Sequence, residues 1–181
     1  MLKVRSGDPD KMALLFQRYH RPLFGFLFHM TRHREASEDL LQNVFYRMLR
    51  SAHTFTGDGE FKTWMYCIAR NVARDHLKKS RREPDSYDAA DLAERISAAT
   101  RTDEALEHRL EIKALQRALN ALPPDSREVL ILSRFQDLRY DEIAGVLDIS
   151  IGAVKVRVHR AITQLRELYI ETEHDKFKRG G

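Results

Sequence analysis

The chain has 181 residues, 43% of them hydrophobic and 32% charged, with a formal net charge of +4. That is enough apolar material for one ordinary core or two small ones, and no apolar run approaches the roughly twenty residues that a membrane span needs. A lone cysteine, Cys67, excludes an internal disulfide and suits a reducing, cytoplasmic setting. Residues 1–10 are charged and lack the apolar centre of a signal peptide, so neither export nor membrane insertion is expected.

Helical spacing recurs throughout and strand-type alternation does not, so the expected fold is all-α. Asp8-Pro9 predicts an N-cap and a first-turn proline, opening a helix with Met12, Leu15, Phe16 and Tyr19 on one side. Pro22 predicts the start of a second helix, carrying Leu23, Phe26, Leu27 and Met30. A third is expected over residues 35–49 and a fourth over residues 60–79, with a Gly-paired loop between them. Glu83-Pro84-Asp85-Ser86 breaks the pattern, and the acidic, Ala-rich stretch that follows reads as a flexible linker over residues 83–105. A second unit is expected over residues 106–175, beginning with Leu110, Leu115, Leu119 and Leu122 before Pro123-Pro124. Its later helices fall at 126–135, 140–147 and 151–169, and residues 176–181 form a tail. The expected architecture is thus two small helical domains, 1–82 and 106–175, joined by an acidic tether.

Charge is unevenly placed. Residues 61–82 are strongly basic, residues 83–109 are acidic, and residues 150–166 hold four basic side chains and no acid. Two basic elements around an acidic connector suggest two separate contacts with a polyanion. The second element has the dimensions of a helix-turn-helix, with a short turn at Asp148-Ile149-Ser150. Asp148 tolerates the left-handed conformation such a turn needs, Ser150 is placed to cap the next helix, and Ala144 is small where the helices cross. Ile151, Val154, Val158, Ile162 and Leu165 form an apolar stripe expected to face the core. Opposite it lie Gly152, Ala153, Val156, Arg157, His159 and Arg160, with Lys155 at the edge, suited to base edges and phosphates in a major groove.

The helix over residues 60–82 carries Phe61, Trp64, Met65, Ile68 and Val72 on one side, and Arg70, Arg74 and Lys78 opposite. That ridge suits phosphates, while the loop and Asn71 suit an unpaired base. Trp64 fits either core packing or base stacking, and its place in the apolar stripe favours the core. On the third helix, Leu40, Leu41, Val44 and Met48 point one way. Asp39, Gln42 and Tyr46 point the other, flanked by Asn43, Phe45 and Leu49, a mixture found at protein interfaces and also on plain solvated faces.

The ordered set of motifs resembles the extracytoplasmic-function (ECF) group of bacterial sigma factors, which hold little beyond sigma regions 2 and 4. Gly7-Asp8 and Ala36-Ser37-Glu38-Asp39-Leu40-Leu41-Gln42-Asn43-Val44-Phe45 resemble regions 2.1–2.2. Phe55 through Phe61-Lys62-Thr63-Trp64-Met65, with Ile68-Ala69-Arg70-Asn71, is similar to regions 2.3–2.4. Leu122-Pro123, Arg127-Glu128-Val129-Leu130, Tyr140-Asp141-Glu142-Ile143-Ala144 and the run from Val154 to Ala161 resemble region 4.

This resemblance implies an alternative sigma factor, a monomer when free, that binds core RNA polymerase and directs it to promoters. Asp39, Gln42, Asn43, Phe45 and Tyr46 would meet polymerase. The loop of Phe55, Thr56, Gly57, Asp58, Gly59 and Glu60, with Lys62, Arg70, Asn71, Arg74 and Lys78, would hold the −10 element and its single strand. Ser150, Gly152, Ala153, Lys155, Val156, Arg157, His159 and Arg160 would address double-stranded −35 DNA. The family often uses an anti-sigma factor, and its linker is thought to thread the RNA exit path. Three departures stand out: Asn43 replaces the usual acid, Ala153 and Val156 stand where Thr and Ser are common, and the melting aromatics of housekeeping sigma factors are missing.

An enzyme is the weaker reading. His29 and His33 have the spacing of two ligands on one helix face, yet no third ligand accompanies them, and no phosphate loop or nucleophile elbow is present. No metal, cofactor or catalytic residue is therefore expected. The stronger rival is a helix-turn-helix regulator that acts without replacing sigma. Against it, residues 1–82 show no βα alternation and no evident ligand pocket.

Overall fold

A computed structural model describes residues 1–82 and 103–179, and the described residues form helices and their connections. Most of the expected linker, residues 83–102, lies outside the described residues. Its last three residues, expected to be tether, already belong to a helix.

The N-terminal half begins with a four-residue helix, α1 (Leu2–Arg5), that the sequence pattern did not announce. Instead of the two expected helices, α2 (Lys11–Thr31) runs unbroken through Pro22. Proline deprives the Arg18 carbonyl of its usual helical donor. Burial on either side outweighs that loss: Leu23, Phe26 and Leu27 are fully enclosed and Met30 nearly so. The Asp8-Pro9 signal is displaced by two residues, because the carbonyls of Asp8 and Pro9 accept from Lys11 and Met12 in a lead-in turn. The helix ends at Arg32, which takes a left-handed conformation (φ 62°) with its N–H on the Phe28 carbonyl at 2.8 Å.

Helix α3 (Arg34–Arg50) is capped by His33, whose Nδ1 accepts from the Ala36 N–H at 3.0 Å. His29 instead meets Phe135 in a tilted ring contact with centroids 4.4 Å apart, and burial pushes its imidazole below the ordinary value. The two histidines are thus a ring contact and a cap. Helix α4 (Phe61–Arg82) buries Met65, Tyr66, Ala69, Val72 and Ala73 against α2 and α3.

The second unit holds α5 (Asp103–Ala121), α6 (Pro124–Leu130), a π-helical segment (Ile131–Phe135), α7 (Tyr140–Leu147) and α8 (Ile151–Arg179). Pro124 sits in the first turn of α6, where a missing N–H costs nothing. The apolar stripes here need correction. On α5 the buried residues are Ala114, Ala118 and Leu119, followed by Leu122, while Leu110 and Leu115 are exposed. On α8 the core face is Val154, Val158 and Ala161. Ile151 and Ile162 are exposed, and Ile162 lines an apolar groove with Leu115, Leu165 and Tyr169. The helices α5, α6 and α7 that pack on α8 cover the face of Val154, Val158 and Ala161 and leave the edges of the longer stripe in solvent.

Arg127 ties this unit together. Its guanidinium donates to the carbonyls of Leu119, Asn120 and Leu122 at 2.9–3.1 Å, satisfying the orphan acceptors at the end of α5. Arg32 reaches the same Asn120 carbonyl from the other unit. Burial, then the neighbouring Arg32 charge, lowers the Arg127 pKa to about 10.

The two units do not stand apart. Helix α7 packs along α4, and α6 with the π segment rests on α2, so that one apolar core runs from Leu23 to Ala161. At the crossing of α7 with α4 the small residue is Gly145: a Cβ there would lie 2.8 Å from Thr63 Cγ2. Replacing Arg127 with Ala leaves the Leu119 and Leu122 carbonyls without their side-chain donor and leaves Asn120 with Arg32 alone. The expected loss is about 2–3 kcal/mol, read as a lower urea midpoint with unchanged helix content before the transition.

Candidate nucleic-acid interface

The helix-turn-helix is built as its residues require. Asp148 adopts φ 55°, and its N–H closes α7 on the Ala144 carbonyl. Ser150 Oγ accepts from the Ala153 N–H at 3.1 Å, the N-cap of α8. The Glu142 carboxylate accepts from the Arg139 N–H at 2.8 Å and so fixes the start of α7. With Val154, Val158 and Ala161 turned inward, Ser150, Gly152, Lys155, Val156, His159 and Arg160 are exposed on one outer face. Ala153 and Arg157 are half-buried beside them. This surface of small, apolar and basic groups can enter a major groove.

The loop over residues 55–60 is held from beneath by elements invisible to pattern reading. Arg5 donates to the Phe55 carbonyl at 2.8 Å, and Leu2 lies 3.1 Å from where a Cβ on Gly57 would be. Gly57 is itself left-handed (φ 93°), so a side chain there would be strained and crowded at once. Phe55 is buried and packs on Phe61 and Trp64, which places it under the loop and not on its surface. Trp64 is half-buried and donates from Nε1 to Thr54 Oγ1 at 3.0 Å. It therefore stands in the aromatic cluster and forms one wall of an open cavity of about 280 Å³. Thr56, Gly59 and Glu60 are exposed at its rim, and Asp58 is exposed in the loop outside it.

The basic ridge of α4 is divided. Lys62, Asn71 and Lys78 are exposed, as expected. Arg70 is not: its side chain is only 16% exposed and pairs with Glu128 at 3.0 Å, and that carboxylate is 4% exposed. Arg74 faces Asp125 at 3.7 Å. Periodicity placed both arginines on an outer face but held no sign that α6 would cover it. Beside them Cys67 lies 3.7 Å from the Gly145 carbonyl, and burial pushes its thiol up, so it packs as a small apolar group.

On α3, Asp39, Gln42 and Tyr46 are exposed, joined by Leu49, and Asn43 is half-buried. Phe45 departs from the expectation. Its ring is 8% exposed and tilts against Phe16 at 4.9 Å, so it supports the strip from inside instead of presenting itself. Asn43 Oδ1 accepts from Arg47, which also reaches Asp75 at 3.2 Å.

A helical protein with a helix-turn-helix, a second basic helix and a separate apolar-acidic strip belongs to the class of transcriptional DNA readers. Residues 15–83 match the model of sigma-70 region 2, and residues 112–165 match that of sigma-70 region 4. RNA polymerase sigma factor CarQ of Myxococcus xanthus is 35% identical over 173 residues, which cover 96% of this chain and 97% of that one. ECF RNA polymerase sigma factor SigX of Bacillus subtilis is 35% identical over 162 residues, 87% of this chain and 83% of that one. Among solved structures, the sigma factor RpoE of Bartonella quintana, crystallised with the anti-sigma factor NepR, has the same fold. It aligns with a TM-score of 0.67 at 23% identity, over 86% of this chain and 94% of that chain. The chain belongs to the sigma-70 family, in its ECF group.

The exposed residues of α8 divide by position, with Lys155 at the start of the second turn and Arg160 farther along. Arg160→Ala is expected to weaken binding to all −35 duplexes alike and to flatten the salt dependence, as loss of a phosphate contact does. Lys155→Ala is expected to change the preferred base at one or two positions. Binding to a panel of duplexes at two salt concentrations separates the two. An identical shift in preference from both variants refutes the division.

Proposed function

We propose that this sigma factor binds core RNA polymerase through α3 and brings it to promoters by reading two DNA elements. Residues 1–82 form the unit that engages polymerase and the −10 element, and the unit that begins at α5 reads the −35 element. The observation that carries the reading is the pairing of an exposed recognition face on α8 with a braced, glycine-containing loop beside a basic helix. One suits duplex DNA and the other a single strand. Thr56, Gly57, Asp58, Gly59 and Glu60 would frame an unpaired −10 base, with Asn71 and Lys62 alongside and Arg70, Arg74 and Lys78 on the phosphates. Ser150, Gly152, Ala153, Lys155, Val156, Arg157, His159 and Arg160 would meet the −35 duplex. Phe55 shapes the loop from below.

Relatives of this chain carry the name of RNA polymerase sigma factors along nearly their whole length, and solved neighbours include chains crystallised with anti-sigma factors. On that footing the partners are core polymerase, promoter DNA and an anti-sigma protein. The decisive test is transcription in vitro. Purified chain added to core polymerase is expected to yield discrete transcripts from genomic promoters that core alone does not use, and the absence of any would overturn the reading.

Asp39 is the one acid of the exposed α3 strip, beside Tyr46 and Leu49. Asp39→Arg is expected to lower affinity for core polymerase at least tenfold with an unaltered melting temperature. Unchanged co-purification with core moves the interface to another face.

A further inference from the structure

The loop over residues 55–60 has firm ends and an open middle. At its entry the Phe55 N–H donates to the Ala52 carbonyl at 3.2 Å, and the Phe55 ring lies on Phe61 and Trp64. At its exit the Glu60 carbonyl accepts from the Trp64 N–H at 3.3 Å, in the first turn of α4. Between these points a Cβ on Gly59 would meet nothing within 4 Å. The three atoms nearest to a Cβ on Gly57 all belong to Leu2, at 3.1–3.7 Å. Arg5 supplies the other contact from α1, with Nη1 donating to the Phe55 carbonyl at 2.8 Å.

Helix α1 is a single turn, too short to persist by itself. Val4 is buried where α1 packs on α2 and on the turn at Ala52–Thr54. The Ser6 hydroxyl donates to the Leu2 carbonyl at 2.8 Å. Gly7, left-handed at φ 99°, and Asp8 then close the turn on the Val4 and Lys3 carbonyls, at 3.2 and 3.0 Å. Leu2 and Arg5 are three positions apart and so leave α1 on the same side. Both reach the loop, and both are themselves exposed, so their contacts add little to the core.

We propose that α1 is a positioning element for the reading of the −10 base, with Leu2 and Arg5 holding the loop in its discriminating shape. The proposal rests on the assignment of this loop to the −10 strand. Preference among bases needs donors and acceptors that are fixed before the base arrives. A loop that re-forms around any base keeps affinity and loses preference, since specificity is a difference between affinities. Two glycines make this loop easy to deform, and its shape is therefore imposed from outside. Arg5 holds the carbonyl of the first loop residue, and Leu2 blocks collapse of the backbone at Gly57. The competing role for an exposed arginine is contact with a DNA phosphate. That role strengthens binding to all sequences alike and carries a salt dependence, whereas positioning changes the preference and leaves the salt slope. Leu2 has no charge and can act only by position.

The test uses holoenzyme assembled from core polymerase and the full chain, on a promoter recovered by transcription in vitro with its −10 region randomised. Sequencing the templates held in heparin-resistant complexes gives the preference for each base at each position. In Leu2→Ala and Arg5→Ala, the ratio of best to worst base at one −10 position is expected to fall about fivefold. The other positions keep their preferences, Leu2→Met keeps the wild-type ratio, and Arg5→Ala keeps the salt slope of promoter binding. Wild-type preference in both alanine variants overturns the positioning role, even where the yield of holoenzyme drops, as a merely structural role would have it. A uniform loss across all sequences with a flatter salt slope in Arg5→Ala overturns it too, and makes α1 a phosphate contact. Absence of any −10 preference in the wild-type holoenzyme overturns the assignment of the loop, and the positioning role falls with it.

Discussion

Helix α7 lies against α4 at a distance set by Gly145 and Thr63, and most of what is distinctive about the structure follows from that docking. It carries the short helix α6 onto α2, which in turn places Glu128 on Arg70 and Gln136 on Tyr66. The stability of the junction comes from its apolar rows, since Leu132, Ile143 and Val129 lose their exposure together with Phe26, Met65 and Ala69. The ion pair contributes something else. Removing two charges from water costs about as much as their attraction returns, so such a pair adds little to stability while penalising any arrangement that leaves one member alone. An arrangement that buried Arg70 or Glu128 without the other is therefore disfavoured.

The same elements serve two demands that pull against each other. A recognition helix needs one face in the core to hold it and one face bare to read DNA, and α8 meets both with Val154, Val158 and Ala161 inside and Lys155, His159 and Arg160 outside. Helix α4 meets the first demand and only part of the second, with Lys62, Asn71 and Lys78 exposed and Arg70 covered. Of its basic ridge, Arg70 and Arg74 face Glu128 and Asp125 of α6, and Lys62 and Lys78 stay in solvent. The favourable placement of Asp141 and Glu142 in the first turn of α7 is a helix-dipole effect in its own right.

Much of this was legible in the residues. The all-α class, the boundaries of α3, α4 and α7, the left-handed Asp148 and the Ser150 cap all follow from local chemistry, because each depends on groups within a few positions. What failed is what depends on distant partners. Pro22 looked like a helix start because the local cost of an internal proline is visible, while the burial of Leu23, Phe26 and Leu27 that outweighs it is not. Phe45 looked like part of an outer strip, and only the arrival of Phe16 from α2 turns it inward. Arg70 sat correctly on the face opposite the core of its own unit. Fifty-eight positions separate it from the carboxylate that covers it, and no periodicity carries that information. Leu2 and Arg5 gave no signal at all, since one helical turn is too short for a pattern.

The replacement of the expected acid by Asn43 has a local consequence that bears on the proposed polymerase face. An acid at that position would offer its own charge to a partner. Asn43 instead accepts from Arg47 Nε at 3.1 Å, and Arg47 spans to Asp75 on α4. The side chain is thereby committed to bracing α3 against α4, and Asp39 remains the acid of the strip. Next to it, Tyr46 is 61% exposed and Leu49 44% exposed. Large aromatic and aliphatic groups at the centre of a patch, with one carboxylate beside them, are the composition from which binding energy is usually drawn. Association through this face then rests more on apolar burial than on charge, and it should resist salt better than the proposed DNA contacts of α4 and α8, since contacts to phosphates are salt-sensitive.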